Sequence, residues 1–160
     1  MFGHLLLFFA LMSPVQGVNS PMPVALETMQ DHYRPLLVFA PTDRDRDFLR
    51  QIHLFATASY EMHRRDVLLV PLNATSEVTS GGVILNALDW GKMSAETAAS
   101  TRRRFHIPPH SFTVLLLGKD GGVKLRSHTL ITIETLIRTI DSMPMRQQEM
   151  RERTREPETP

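Results

Sequence analysis

The sequence predicts one α/β domain, a mixed β-sheet with helices on both faces. Three observations lead there. Residues 36–40 (LLVFA) and 67–72 (VLLVPL) are short, continuously apolar runs, the pattern of strands buried on both faces. The segment between them repeats apolar residues at helical spacing, and a strand–helix–strand crossover is right-handed with parallel strands. Residues 112–140 then spell strand, tight turn, strand and amphipathic helix, which adds an antiparallel pair at the sheet margin.

The elements follow in chain order. Leu5 to Met12 (LLLFFALM) is an apolar run too short to span a bilayer, and Ser13-Pro14 breaks it. Val15-Gln16-Gly17 offers small residues where a signal peptidase reads, so residues 1–17 are expected to be a secretion signal cleaved near Gly17. Residues 18–33 form a polar, proline-containing lead-in. After the first strand, Pro41 stops the chain and Thr42 or Asp43 can cap a helix whose start carries Asp43, Asp45 and Asp47. Phe48, Ile52, Phe55 and Ser59 lie on its apolar stripe, with Leu49 and Ala56 beside them, and Arg64-Arg65 closes it. Pro71 marks the second strand as an end or an edge. Residues 73–93 are compatible with a small hairpin or with a loop and a strand. Ser94 caps a helix over 95–104, and Ile107-Pro108-Pro109 breaks the chain before the strand at 112–117. Asp120-Gly121 turns it into a partner strand at 123–126. Thr132 caps a last helix burying Ile133, Leu136, Ile137 and Ile140. Residues 146–160 are almost wholly polar and read as a solvated helical extension, with a loose tail from 151.

Composition narrows the chemistry. The chain has 160 residues, 42% hydrophobic, enough for one real core, and a formal net charge of +1, which implies no large single-sign field. It contains no cysteine, which excludes thiol–disulfide exchange, thiolate nucleophiles and thiolate metal sites together.

The order of elements resembles the thioredoxin-like three-layer sandwich, a mixed sheet with a C-terminal antiparallel hairpin and helices on both faces. FAPTDRDRDF (residues 39–48) sits where a thioredoxin carries its redox motif, with Thr, Asp and Arg at the cysteine positions. Pro108 and Pro109 fall a few residues before the place of that fold's cis-proline. More specifically, RPLLVFAP (34–41), LLLGKDGGVKLRS (115–127) and IDSMPMRQQEM (140–150) are similar to the domain of unknown function family 4174. The resemblance covers residues 34–150, taken as the domain. That family occurs in small exported bacterial proteins, in coiled-coil domain-containing protein 80 and in sushi-repeat-containing secreted proteins. It implies an extracellular, matrix- or adhesion-related role for the animal members; no catalytic residues are established for the family, so none carries over to this chain.

Candidate sites are few. Lys119, Lys124 and Arg126, with Asp120, surround a turn whose glycine N–H groups could bind an anion; the simpler alternative is a solvated hairpin whose charges protect an edge strand. Arg102, Arg103 and Arg104 form a cationic cluster at a helix C-terminus, able to hold a polyanion or merely to complement the helix dipole. No aromatic residues interleave with it, so nucleic acid is not an expected partner. His106 and His110 are separated by two prolines, which removes helical metal-ligand geometry, and no metal is expected. Met62, Met93, Met143, Met145 and Met150 could bind soft copper or simply fill space. Ser111 beside His110 lacks a nucleophile elbow and a third member. Asn73-Ala74-Thr75 is a glycosylation sequon. The expectation is a secreted or periplasmic, non-catalytic domain without cofactor. It would bind a protein or polyanionic partner and not insert stably in a membrane. The alternative is an envelope enzyme of unknown type, descended from a redox fold.

Overall fold

The computed structural model describes residues 22–73 and 91–155. In chain order these form β1 (Met22–Pro23), α1 (Leu26–Met29), β2 (Arg34–Ala40), α2 (Arg46–Thr57), α3 (Ser59–His63) and β3 (Val67–Asn73). There follow β4 (Gly91–Lys92), α4 (Ala95–Arg104), β5 (Thr113–Leu117), β6 (Val123–Ser127), α5 (Ile133–Asp141) and α6 (Pro144–Arg155). The expected signal at 1–17, the start of the lead-in, most of the ambiguous stretch at 73–93 and the tail from 156 lie outside the described residues.

The main sheet has the order β3-β2-β5-β6. β2 and β3 are parallel, with Arg34 opposite Val67 and Ala40 opposite Asn73. β5 runs antiparallel to β2, and β6 antiparallel to β5 at the margin. Crossover and terminal hairpin therefore stand as the sequence predicts. Pro71 lies in β3, an edge strand, where a missing N–H is tolerated. β1 and β4 make a separate two-stranded parallel ribbon.

Side-chain alternation assigns the two faces. Leu36, Val38, Leu69, Val114 and Leu116 point to a core closed by Phe48, Ile52 and Phe55 of α2, Met62 of α3, and Leu136 and Ile140 of α5. Leu37, Phe39, Leu68, Val70 and Leu115 point to the other, closed by Leu26 and Met29 of α1, Ala98 of α4, and Phe105. Gln51, fully buried on α2, exchanges both amide hydrogen bonds with the backbone of Ile131, at 3.1 and 2.8 Å, and so holds the approach to α5 against α2.

Several expectations are corrected. The long helix breaks at Ala58 into α2 and α3, and its cap is Asp45, whose carboxylate accepts from the N–H groups of Asp47 and Phe48. Thr42 instead accepts the N–H of Arg44 in a local turn. Leu49 is exposed, while Ser59, Ile133 and Ile137 are only half-buried. The lead-in is not separate, since Val24, Leu26 and Met29 are core residues and the fold begins before residue 34. α6 is not a freely solvated extension, because Arg146 is buried within it. Met143 is buried as expected but Met145 is exposed.

Candidate functional site

β2 and β3 end side by side at Ala40 and Asn73, and the carboxyl ends of parallel strands are where open α/β sheets hold ligands. Arg102 reaches that edge from α4. Its Nη2 donates to the carbonyls of Ala40 at 2.8 Å and Leu72 at 2.7 Å, and Nη1 donates to that of Pro108 at 3.4 Å. The guanidinium lies over the Phe39 ring, 5.3 Å from its centroid. Burial pushes its pKa down, and among the described residues no carboxylate lies within ion-pair distance of it.

Arg102 and Arg103 line a shallow open basin with His106, Ile107, Pro108 and Pro109. Arg103 is exposed, and its side chain makes no polar contact among the described residues. His106 takes a left-handed conformation, φ 54°, at the end of α4. There the N–H of His106 donates to the carbonyl of Arg103 and that of Ile107 to Arg102. Arg126 adjoins this wall, with both terminal nitrogens donating to the carbonyl of Phe105 at 3.0 and 3.1 Å.

The other predicted cations lie elsewhere. Arg104 turns toward α1 and meets Glu27 at 3.4 Å. Lys124 pairs with Asp120 at 2.7 Å, and this hydrogen bond holds the Asp120 carboxyl below its usual range. The turn glycines do not offer free N–H groups. Gly121 N–H donates to Gly118 and Gly122 N–H to the Asp120 carboxylate, with Gly121 at φ 75° supplying the turn.

Lys119 belongs to an ion chain at the opposite end of the sheet. Arg34, 1% exposed, donates to Glu149 at 2.8 Å and to the carbonyl of Arg65 at 2.9 Å, and lies 3.7 Å from Asp66. Lys119 bridges Asp66 at 2.9 Å and Glu149 at 3.0 Å. Arg146 joins Glu149 at 3.2 Å to Asp141 at 3.4 Å, and Arg65 grips Asp141 with two hydrogen bonds and also holds Glu61. Four cations thus alternate with four carboxylates. Burial alone would push the Glu149 carboxyl up, but hydrogen bonds from Arg34 and Lys119 outweigh it and bring it from 4.5 to about 2. The Arg65 hydrogen bonds likewise lower Asp141. A cavity of about 150 Å³ beside this chain is lined by Arg34, Lys119, Asp120, Lys124, Met143 and Met145, but each cation there already has a carboxylate.

The sequence did not reveal this chain. Its signal was Arg34 at the head of a doubly buried strand, together with Arg146 and Glu149 one helical turn apart. Other candidates separate. Met62 and Met143 lie in one core and Met93 in the other, so the methionines do not converge. The Ser111 hydroxyl donates to the Pro108 carbonyl. Among the described residues no group of three His, Asp or Glu side chains could hold a metal. Asn73 is 1% exposed, which withholds the sequon's amide from a glycosyl transferase on the folded domain. Among the described residues no helix is long and apolar enough to cross a membrane.

A family model described as Domain of unknown function (DUF4174) matches residues 25–149. The chain is similar to coiled-coil domain-containing protein 80 of Danio rerio, 28% identical over 140 residues, which are 80% of this chain and 16% of that protein. It is also similar to sushi repeat-containing protein SRPX of Rattus norvegicus, 27% identical over 125 residues, 78% of this chain and 26% of that protein. It therefore spans about a quarter or less of these curated relatives' length. Among solved structures it resembles the reduced 2-Cys peroxiredoxin of Plasmodium vivax, with TM-score 0.56, 17% identity and coverage of 78% and 84% of the two chains. It also resembles peroxidoxin BcpB of Mycobacterium tuberculosis, with TM-score 0.58, 12% identity and coverage of 74% and 84%. These likenesses establish a thioredoxin-like fold. A chain without cysteine cannot carry out thiol peroxidase chemistry on it.

Proposed function

Since the chain belongs to the DUF4174 family and keeps a thioredoxin-like fold without a thiol, we propose that it is an exported, non-catalytic domain that works by binding an acidic partner. The apolar run at 5–12, followed by small residues at 15 and 17, supports export. The surface that supports binding is the end of α4. The observation that carries the reading is Arg102, a half-buried guanidinium whose hydrogen-bond partners among the described residues are all carbonyls, beside the exposed Arg103. A cation held out of water without a counter-ion leaves positive potential over the basin.

The test uses heparin as a generic polyanion. The variant Arg103→Gln should elute from a heparin column at lower salt than the parent, while Arg50→Gln, an exposed arginine on α2, shifts elution little. Arg102 is left intact because its carbonyl contacts are structural. Unchanged elution of Arg103→Gln would remove this surface from consideration.

A further inference from the structure

The basin at the end of α4 is charged at its rim and apolar at its floor, and this selects among acidic partners. We propose that its ligand is an acidic peptide segment carrying apolar side chains between its carboxylates; this rests on the binding reading above and narrows it. Ile107, 6% exposed, sits at the floor, while Pro108 and Pro109 are exposed rings beside it. The wall is preorganised by the hydrogen bonds that close α4 and by the fixed φ of two successive prolines, so little ordering is needed on binding. The basin is open and shallow, which suits an extended segment lying across it.

The two arginines divide the work. The terminal nitrogens of Arg102 are directed at three carbonyls, so it contributes charge from below. Among the described residues nothing occupies the Arg103 guanidinium fork, which suits a carboxylate. A sulfated polysaccharide would satisfy Arg103 yet leave the proline rings wet. A peptide with carboxylates on either side of a leucine satisfies both.

The experiment titrates the full chain with two fluorescent peptides of equal charge, one alternating Glu with Leu and one alternating Glu with Ser, and separately with a heparin oligosaccharide. The Leu peptide should bind about fivefold or more tightly than the Ser peptide, from partial burial of apolar side chains. Pro109→Ser should narrow that difference, weakening the Leu peptide more than the Ser peptide. Arg103→Gln should weaken both peptides about three- to fivefold. Equal affinity for the two peptides, or no effect of Pro109→Ser in a variant with parental circular dichroism, overturns the inference. Heparin binding without peptide binding also overturns it but leaves the acidic-partner reading standing. If no acidic probe binds, both fall.

Discussion

Each end of β2 is closed by one arginine, and the two stand in opposite electrostatic situations. At its start, Arg34 is almost wholly buried and enters a chain in which four cations meet four carboxylates. Beyond its end, Arg102 is half-buried and, among the described residues, meets carbonyls and an aromatic ring. A buried charge held by several carboxylates is committed to holding elements together, and removing one partner strands the rest. A charge whose neighbours are all neutral dipoles keeps most of its field for something else. The same residue type therefore reads as structure at one end and as recognition at the other.

The widest gap between the ends should appear on removing one carboxylate. Glu149→Ala deprives Arg34, Lys119 and Arg146 of a common partner and should lower the unfolding free energy by about 3 to 4 kcal/mol in urea titrations. Adding Arg34→Met should return part of that loss, because the most buried of the three stranded cations is then gone, while Lys119 keeps Asp66 and Arg146 keeps Asp141. Acid gives the same contrast. The folded Glu149 carboxyl lies at about 2, below its ordinary 4.5, so its contribution is complete above about pH 4.5 and disappears as the pH falls toward 2. The variant should show a flatter acid limb over that window. A loss below about 1 kcal/mol, typical of exposed pairs, would erase the distinction drawn here.

Much of the fold was legible because the strands announce themselves. LLVFA and VLLVPL are apolar at both faces, and Asp120-Gly121 fixes a turn by backbone geometry alone. The ion chain was not legible, since it joins residues as far apart as Arg34 and Glu149 and no local pattern encodes that meeting. Four of its eight members, Arg34, Lys119, Arg146 and Glu149, do fall within the RPLLVFAP, LLLGKDGG and MPMRQQEM strings, whose charges read singly as surface decoration. At the other end, three adjacent arginines looked like one patch. The helix fans them apart, sending Arg102 to the strand ends and Arg104 to Glu27. Rotation of about 100° per residue makes neighbours in sequence poor neighbours on a helix.

A smaller effect is expected at the arginine end. Arg102→Gln leaves the carbonyls of Ala40 and Leu72 without their donor and removes the stack on Phe39, and should cost about 2 kcal/mol in the same titrations. No carboxylate is stranded, so the acid limb should keep its parental shape. A cost matching that of Glu149→Ala, or an altered acid limb, would show that Arg102 has an ionic partner and belongs with Arg34.

The smallest effect compares two strained residues, one for each end. Asp66 and His106 both hold left-handed backbone, φ 53° and 54°, where glycine would relieve a Cβ clash. The His106 side chain is exposed, and His106→Gly should raise stability by about 0.5 kcal/mol once the extra freedom of the unfolded chain is counted. Asp66→Gly relieves the same clash but removes the carboxylate shared by Lys119 and Arg34, and should destabilise instead. Opposite signs from one substitution at one dihedral angle isolate the ionic contribution from the backbone one. If both variants gained stability, the Asp66 carboxylate would be dispensable and the ion chain would have to end at Glu149.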